Sequence, residues 1–149
     1  MNRQKQIFIR LAMIRSFELQ KQVQQRNQQR VKTQNIEGAM DQCLHIIKQS
    51  ESDYRDCLQS KQQLALTSML SYPQFIRAQR HRYDQLKRLF DYELEKLQMI
   101  EQQCKRISSE ERALNHLAEK KQQSISERTS KSEQCQADEF QLLKHGGTH

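Results

Sequence analysis

Residues 76–125 of this chain read IRAQRHRYDQLKRLFDYELEKLQMIEQQCKRISSEERALNHLAEKKQQSI. Alternate steps of three and four residues from Ile76 to Ile125 reach fifteen positions, and eleven of these are apolar when Tyr, Cys and Ala are counted. This spacing brings the apolar side chains into one stripe along an α-helix, which is the pattern of coiled-coil packing. The stretch therefore predicts one long helix that packs its stripe against another helix.

A similar stripe upstream predicts the helix that serves as its partner. Its members, with Leu44 and Leu58 beside them, are Ile36, Met40, Cys43, Ile47, Ser50, Tyr54 and Cys57. Between the two stripes lies a short link, residues 65–72, which is followed by Pro73. Proline has no N–H to lose in the first turn of a helix, and Ser71 with Gln74 fits a capping box. Both features predict that the second helix starts at Pro73.

The predicted fold is all-α, with two long helices that form an antiparallel coiled coil, an α-helical hairpin rod. A tight corner between two long helices places them side by side in opposite directions. The expected boundaries are about 5–64 for helix 1, 65–72 for the corner and about 73–143 for helix 2. Residues 1–149 are expected to form a single coiled-coil unit.

The composition agrees with long helices and leaves little room for turns. The 149 residues include three Gly and one Pro, and 35% of them are apolar. Low hydrophobicity with a net charge of +7 also fits a disordered chain. The stripe argues against disorder, because a disordered chain does not keep apolar residues in register over many turns. No run approaches the roughly 20 apolar residues of a membrane-spanning helix, and the N-terminal segment lacks a secretory cleavage site.

The positive charge is concentrated in the first 32 residues, which we name the basic arm. The arm contains eight Lys or Arg residues and one acid, so it carries the whole net charge of +7. It also contains an apolar cluster at core spacing, namely Ile7, Leu11, Ile14 and Phe17. From Gln20 to Asn35 nearly all residues are Gln, Arg or Lys, so the pairing of the helices is expected to loosen there. Past Ile125 a Ser-rich run of weak helix formers is expected to fray.

No group of residues predicts a catalytic or metal centre. The four Cys residues and five His residues lack metal-site spacing, and two glycines separate His145 from His149. No nucleophile elbow, phosphate-binding loop or dinucleotide fingerprint occurs. Cys43, Cys57 and Cys104 lie on the stripes and are interpreted as reduced core residues. The sequence therefore predicts a protein that is not an enzyme and has no cofactor or metal.

The basic arm also has features of other protein classes. A basic segment followed by heptad repeats is the arrangement found in leucine-zipper DNA-binding proteins. Apolar residues interrupt the arm, however, no Asn-x-x-Ala-Ala base-reading stretch occurs, and the heptads turn back. An acid-poor amphipathic arm also fits membrane-surface binding or an organelle transit signal, which the interleaved Gln residues make weaker. A self-associating scaffold is a further alternative.

Aromatic residues gather near the predicted corner, at Tyr54, Tyr72, Phe75 and Tyr83. Tyr83 lies on the stripe and is expected in the core. The others either anchor a partner protein or close the corner by local packing. The sequence leaves both interpretations open.

Four segments together carry a family resemblance. They are the basic, apolar-punctuated helix from Arg3 to Lys21, SDYRDCL at 52–58, SYPQFI at 71–76, and ADEFQLL at 137–143. With these segments the chain resembles the FliJ/YscO family, the central stalk proteins of type III secretion ATPases. The length and the two-helix layout match over nearly the whole chain. The opening and closing segments look nearer to the injectisome branch than to the flagellar branch.

The resemblance implies a stalk that links a hexameric export ATPase to the membrane export gate. The basic arm would enter the ATPase ring, and the expected ATPase-binding residues are Arg3, Arg10, Arg15, Lys21, Arg26 and Arg30. The expected export-gate-binding residues are Ile47, Tyr54, Tyr72 and Phe75. Secretion chaperones are further expected partners, whereas nucleic acid and stable membrane insertion are not expected. The implied location is cytoplasmic, peripheral to the export apparatus of the inner membrane.

Overall fold

The computed structural model describes residues 3–60 and 66–146. These residues form two helices, α1 from Arg3–Gln59 and α2 from Leu66–Gly146. The helices run in opposite directions and pack against each other, and the described residues contain no strand. The predicted all-α helical hairpin is therefore confirmed.

Both helices contribute segments to each of two compact units. One unit consists of Met1–Lys21 with Gln103–His149, and the other of Gln22–Gln102. Each unit is thus a pair of antiparallel helical segments with its own buried residues.

The unit Gln22–Gln102 buries apolar side chains from both helices, namely Ile36, Cys43, Ile47, Ile76 and Leu97. The Cys43 thiol lies 3.4 Å from the backbone oxygen of Gln79. The rings of Tyr54 and Tyr72 are 5.9 Å apart between centroids. As the residue number increases along α1, the residue number of the partner on α2 decreases. These contacts therefore establish the antiparallel register.

The unit of Met1–Lys21 with Gln103–His149 has a smaller buried set, which is Ala12, Cys104, Ile107 and Ala118. The Arg15 guanidinium pairs with the Glu110 carboxylate across the helices at 3.0 Å. The Lys5 ammonium donates to the side-chain oxygen of Gln122. Polar contacts at the edge of the packed face therefore supplement a thin apolar core.

The stripe predicted between Ile76 and Ile125 is the packed face of α2. All fifteen of its positions are buried or half-buried, including the polar Gln79, Glu93 and Glu111. The stripe from Ile36 to Cys57 is likewise buried or half-buried. The period of the apolar residues therefore located the interface on both helices.

The predicted corner needs correction, because α2 begins at Leu66 and not at Pro73. Residues 66–72, expected in the corner, are helical, and Pro73 lies inside α2. Helix 1 was expected to end at about residue 64, but α1 ends at Gln59 and Ser60 is not helical; residue 65 falls outside the described residues. Pro73 cannot donate to the carbonyl of Met69 four residues earlier. One missing hydrogen bond is tolerated so close to the helix start.

The apolar cluster expected at core spacing in the basic arm also needs correction. Ile7, Leu11, Ile14 and Phe17 are all exposed. The residues of this segment that approach α2 are Lys5, Phe8, Ala12, Arg15 and Leu19. They continue the α1 stripe backwards in steps of three and four through Gln22, Arg26, Gln29 and Thr33. Because the polar members hide this register in the sequence, the sequence favours the more apolar set as the core.

Candidate protein-binding surfaces

Three of the expected ATPase-binding residues lie together on the exposed side of α1. Arg3, Arg10 and Lys21 are exposed and have no ion-pair partner within the described part of the chain. They are seven and eleven residues apart, and at 100° per residue they differ by at most about 20° around the helix. They therefore form one basic row that faces away from α2.

Of the other three expected ATPase-binding residues, Arg15 and Arg30 form ion pairs within the helix pair, and Arg26 is half-buried. Arg15 pairs with Glu18 at 2.7 Å as well as with Glu110, and these partners, Glu18 foremost, raise the pKa of its guanidinium. Arg30 pairs with Glu101 at 3.1 Å. Arg26 is half-buried, and its Nε is a buried atom without a hydrogen-bond partner. Arg15 and Arg30 thus link α1 to α2 through Glu110 and Glu101.

A buried carboxylate lies in the middle of the polar part of the interface. Glu93 is only 3% exposed. Its carboxylate accepts a hydrogen bond from the Gln29 amide and pairs with Lys32 at 3.1 Å. The pKa of Glu93 is lowered, chiefly by the hydrogen bond with Gln29 and next by that with Lys32, while burial opposes the shift. The site holds a charge in place and offers no free group for chemistry.

The expected export-gate residues occupy three different environments. Ile47 is 7% exposed and belongs to the core. Tyr54 and Tyr72 are half-buried and pack against each other, and Phe75 is 46% exposed. The pKa of Tyr72 is raised, chiefly by a hydrogen bond with Cys57. The structure brings the two tyrosines together and leaves Phe75 available at the surface.

A shallow cleft lies beside these aromatic residues. Its volume is about 270 Å³, and it is lined by Ser50, Ser71, Tyr72 and Phe75. A second shallow cleft of about 390 Å³ lies in the other unit, lined by Lys5, Ile9, Asn115, Ala118, Glu119 and Gln122. Small polar groups and apolar surface in an open cleft suit contact with a protein side chain.

The last part of α2 is an exposed surface that the sequence interpretation did not single out as a site. All described residues from Ser126 to Gly146 are exposed, and they include the large apolar side chains Phe140, Leu142 and Leu143. The expected fraying past Ile125 is not seen, because α2 is helical to Gly146. The signal available in the sequence was the return of large apolar residues after a polar run, in ADEFQLL at 137–143.

No group of three or more His, Cys, Asp or Glu side chains that could hold a metal ion converges within residues 3–60 and 66–146. The four cysteines are free, with Cys43 and Cys104 buried, Cys57 half-buried and Cys135 exposed. Within the same residues, neither helix contains an apolar segment suited to crossing a membrane.

No protein-family model, no curated protein and no solved structure matches the chain.

Proposed function

We propose that this chain is the central stalk of a type III secretion system, which inserts into the hexameric export ATPase and links it to the export gate. The proposal rests on the FliJ/YscO resemblance of four segments and on the helical hairpin. The observation that carries it is the basic row of Arg3, Arg10 and Lys21, which is exposed and unpaired near the beginning of α1. A row of free cations suits a ring whose inner loops are acidic.

The ATPase contact in this proposal is electrostatic in its first steps. Complementary charge raises the rate of encounter more than the final affinity. Exposed contacts contribute only about 0.2–1 kcal/mol each because solvent and salt screen them. One hairpin cannot match six identical subunits at once, so it favours some subunits over others at any moment. This asymmetry would bias the ring towards sequential hydrolysis.

The gate contact in this proposal uses the unit Gln22–Gln102. Phe75 is the exposed aromatic residue, and Tyr72 lines the adjoining cleft. Aromatic side chains that fill a pocket often dominate the energy of a protein interface. Ile47 and Tyr54 act behind them, because they pack against α2 and hold this surface in shape.

The ATPase part is tested by measuring hydrolysis of the export ATPase of the same organism with increasing amounts of this chain. The triple variant Arg3→Glu, Arg10→Glu, Lys21→Glu is expected to need about tenfold or more protein for equal stimulation. The control is Lys48→Glu, Lys87→Glu, Arg88→Glu, which reverses three other exposed cations. Stimulation by the arm variant that equals wild type, or a control that fails equally, would count against the basic row.

The gate part is tested by binding of the chain to the cytoplasmic part of the export gate protein. Phe75→Ala is expected to weaken binding about tenfold or more, as for an interface anchor. Leu89→Ala is the matched control, since Leu89 is 44% exposed and lies on the same helix. Equal affinities of the two variants would remove Phe75 from the contact.

The alternative functions have separate readouts. A basic coiled coil that binds nucleic acid should shift random duplex in a gel, with an affinity that falls steeply as salt rises. A self-associating scaffold is favoured by the exposed Phe140, Leu142 and Leu143. Light scattering distinguishes a monomer of 17.9 kDa from a dimer. A gel shift or a dimer without ATPase stimulation would replace the stalk proposal.

A further inference from the structure

Exposed apolar side chains are concentrated at the beginning of α1. The helix has nine large apolar residues that are exposed, and six of them fall between residues 7 and 17: Ile7, Ile9, Leu11, Met13, Ile14 and Phe17. Their exposed fractions range from 39% to 68%. Scattered single apolar residues are normal on protein surfaces, whereas a contiguous group marks an interaction site. This group therefore marks a site that binds another molecule and not α2.

The apolar and basic residues share one side of the helix. Arg10 lies about 40° around the helix from Ile14 and about 20° from Phe17. Ile7, Leu11 and Ile14 follow each other at steps of four and three, so they form a stripe beside the basic row. We name this surface, the exposed side of residues 3–21, the N-terminal face. Its opposite side, with Phe8 and Ala12, packs against α2.

The N-terminal face has no free negative charge. Glu18 is the only acid in residues 3–21. Its carboxylate is held by Arg15 at 2.7 Å. Arg3, Arg10 and Lys21 are consequently not neutralised by neighbours on the same face. The face combines exposed apolar groups with uncompensated positive charge along about five turns of helix.

We propose that the N-terminal face binds the surface of an anionic lipid bilayer, with the helix parallel to the surface. Exposed apolar side chains of a surface-bound basic helix enter the boundary between headgroups and acyl chains, and positive charge adds attraction to anionic lipids. Lys and Arg then reach the phosphates through their flexible stems. The face belongs to one continuous helix, and its apolar and basic residues are interleaved. A bilayer surface meets both kinds of group along the whole face, and it supplies the negative charge that the face lacks.

This inference goes beyond the proposed function and does not depend on it. Arg3, Arg10 and Lys21 are also the residues offered to the ATPase, so lipid and ATPase would compete for the same face. A bilayer would hold the unassembled chain near the membrane, and the ATPase would release it. The lipid experiment contains no ATPase, so its failure leaves the stalk proposal intact.

The experiment is sedimentation of the full chain with vesicles of phosphatidylcholine, with and without phosphatidylglycerol. Binding is expected only to the vesicles that contain phosphatidylglycerol, and it should weaken as salt rises. Circular dichroism of every variant establishes that the helices remain. Equal binding to both kinds of vesicle, or no binding to either, would overturn the proposal.

Two pairs of variants test which residues bind. Ile7→Asn with Ile14→Asn is expected to lower the partition coefficient about tenfold or more, whereas Ile46→Asn with Leu89→Asn, exposed apolar residues elsewhere, should leave it within about twofold of wild type. The Arg3→Glu, Arg10→Glu, Lys21→Glu variant should also lose binding, and the Lys48→Glu, Lys87→Glu, Arg88→Glu control should lose much less. Equal losses in both charge variants would show unspecific attraction and would refute the proposal.

A soluble acidic polypeptide distinguishes lipid from protein as the occupant. Polyglutamate is added to the chain without vesicles. Weak binding that is unaffected by Ile7→Asn with Ile14→Asn is expected, because the peptide uses charge alone. Tight binding that depends on those two isoleucines would assign the N-terminal face to an acidic protein and would overturn the lipid proposal.

Discussion

The Gln29 side-chain amide donates hydrogen bonds to both the backbone oxygen and the carboxylate of Glu93, at 3.0 Å and 2.5 Å. The pair lies at a stripe position that apolar residues normally occupy. A polar group at such a position specifies the register of two helices, because a shift along the axis leaves it without partners. Gln29 and Glu93 therefore help to fix which residues of α1 meet which residues of α2.

The first prediction concerns the pH dependence of stability. The pKa of Glu93 in the folded chain lies below its ordinary value, mainly because Gln29 and Lys32 hydrogen-bond to the charged form. A carboxyl group with a lowered pKa stabilises the fold above its unfolded pKa, roughly 4.3. This contribution is lost as the pH falls through the folded pKa. Urea unfolding between neutral pH and acid pH is expected to show this loss in wild type and a smaller one in Glu93→Gln.

The matched control for Glu93 is Glu95, two residues further along α2. Glu95 is exposed, and Glu95→Gln is expected to leave the pH dependence near that of wild type. Identical pH profiles for wild type and Glu93→Gln would mean that the charge of Glu93 adds nothing to folding.

The second prediction compares two adjacent isoleucines in α1. Ile47 is 7% exposed and Ile46 is 38% exposed, so only one of them belongs to the core. Ile47→Ala is expected to lower the free energy of unfolding by about 2–4 kcal/mol through lost burial and a cavity. Ile46→Ala should change it by at most about 1 kcal/mol. Denaturant unfolding of the two variants gives the comparison, and similar losses would place Ile47 outside the core.

The third prediction concerns Pro73, which lies in the second turn of α2 after Leu66. Pro73→Ala restores an N–H that can donate to the Met69 carbonyl and removes a ring that crowds the preceding turn. The free energy of unfolding is expected to rise by about 1–3 kcal/mol. Thermal or denaturant unfolding measures this change. A neutral or destabilising effect would favour a helix start at Pro73.

The stripe on α2 was predictable because its period and its apolar content agree. Leu97, Ile107 and Ala118 lie where alternate steps from Ile76 place them, and the polar Glu93 interrupts the stripe without shifting it. The burial of a residue in a coiled coil depends on its place in the repeat. The repeat therefore predicted the packed face even at positions where the residue is charged.

The N-terminal part of α1 was not predictable in the same way. Arg15 occupies the packed face by pairing with Glu110, while Ile14 beside it points outward. Apolar content favoured Ile14, and only the contacts with α2 decide between the two registers. The start of α2 was not predictable for a related reason. Proline favours the first turn of a helix but is tolerated a turn later. Which of the two positions Pro73 takes depends on whether the preceding segment is helical.

The part of α2 that follows Ile125 has a thermodynamic consequence. All its described residues are exposed, so its helix is stabilised by backbone hydrogen bonds and local side-chain pairs alone. Most of the stability of a helix in a protein comes from packing of its apolar face, so this segment is less stable than the packed part of α2. A protein that binds Phe140 and Leu143 must therefore supply the ordering free energy of this segment. That ordering offsets part of the binding free energy, so the affinity is lower than the contact area alone would give.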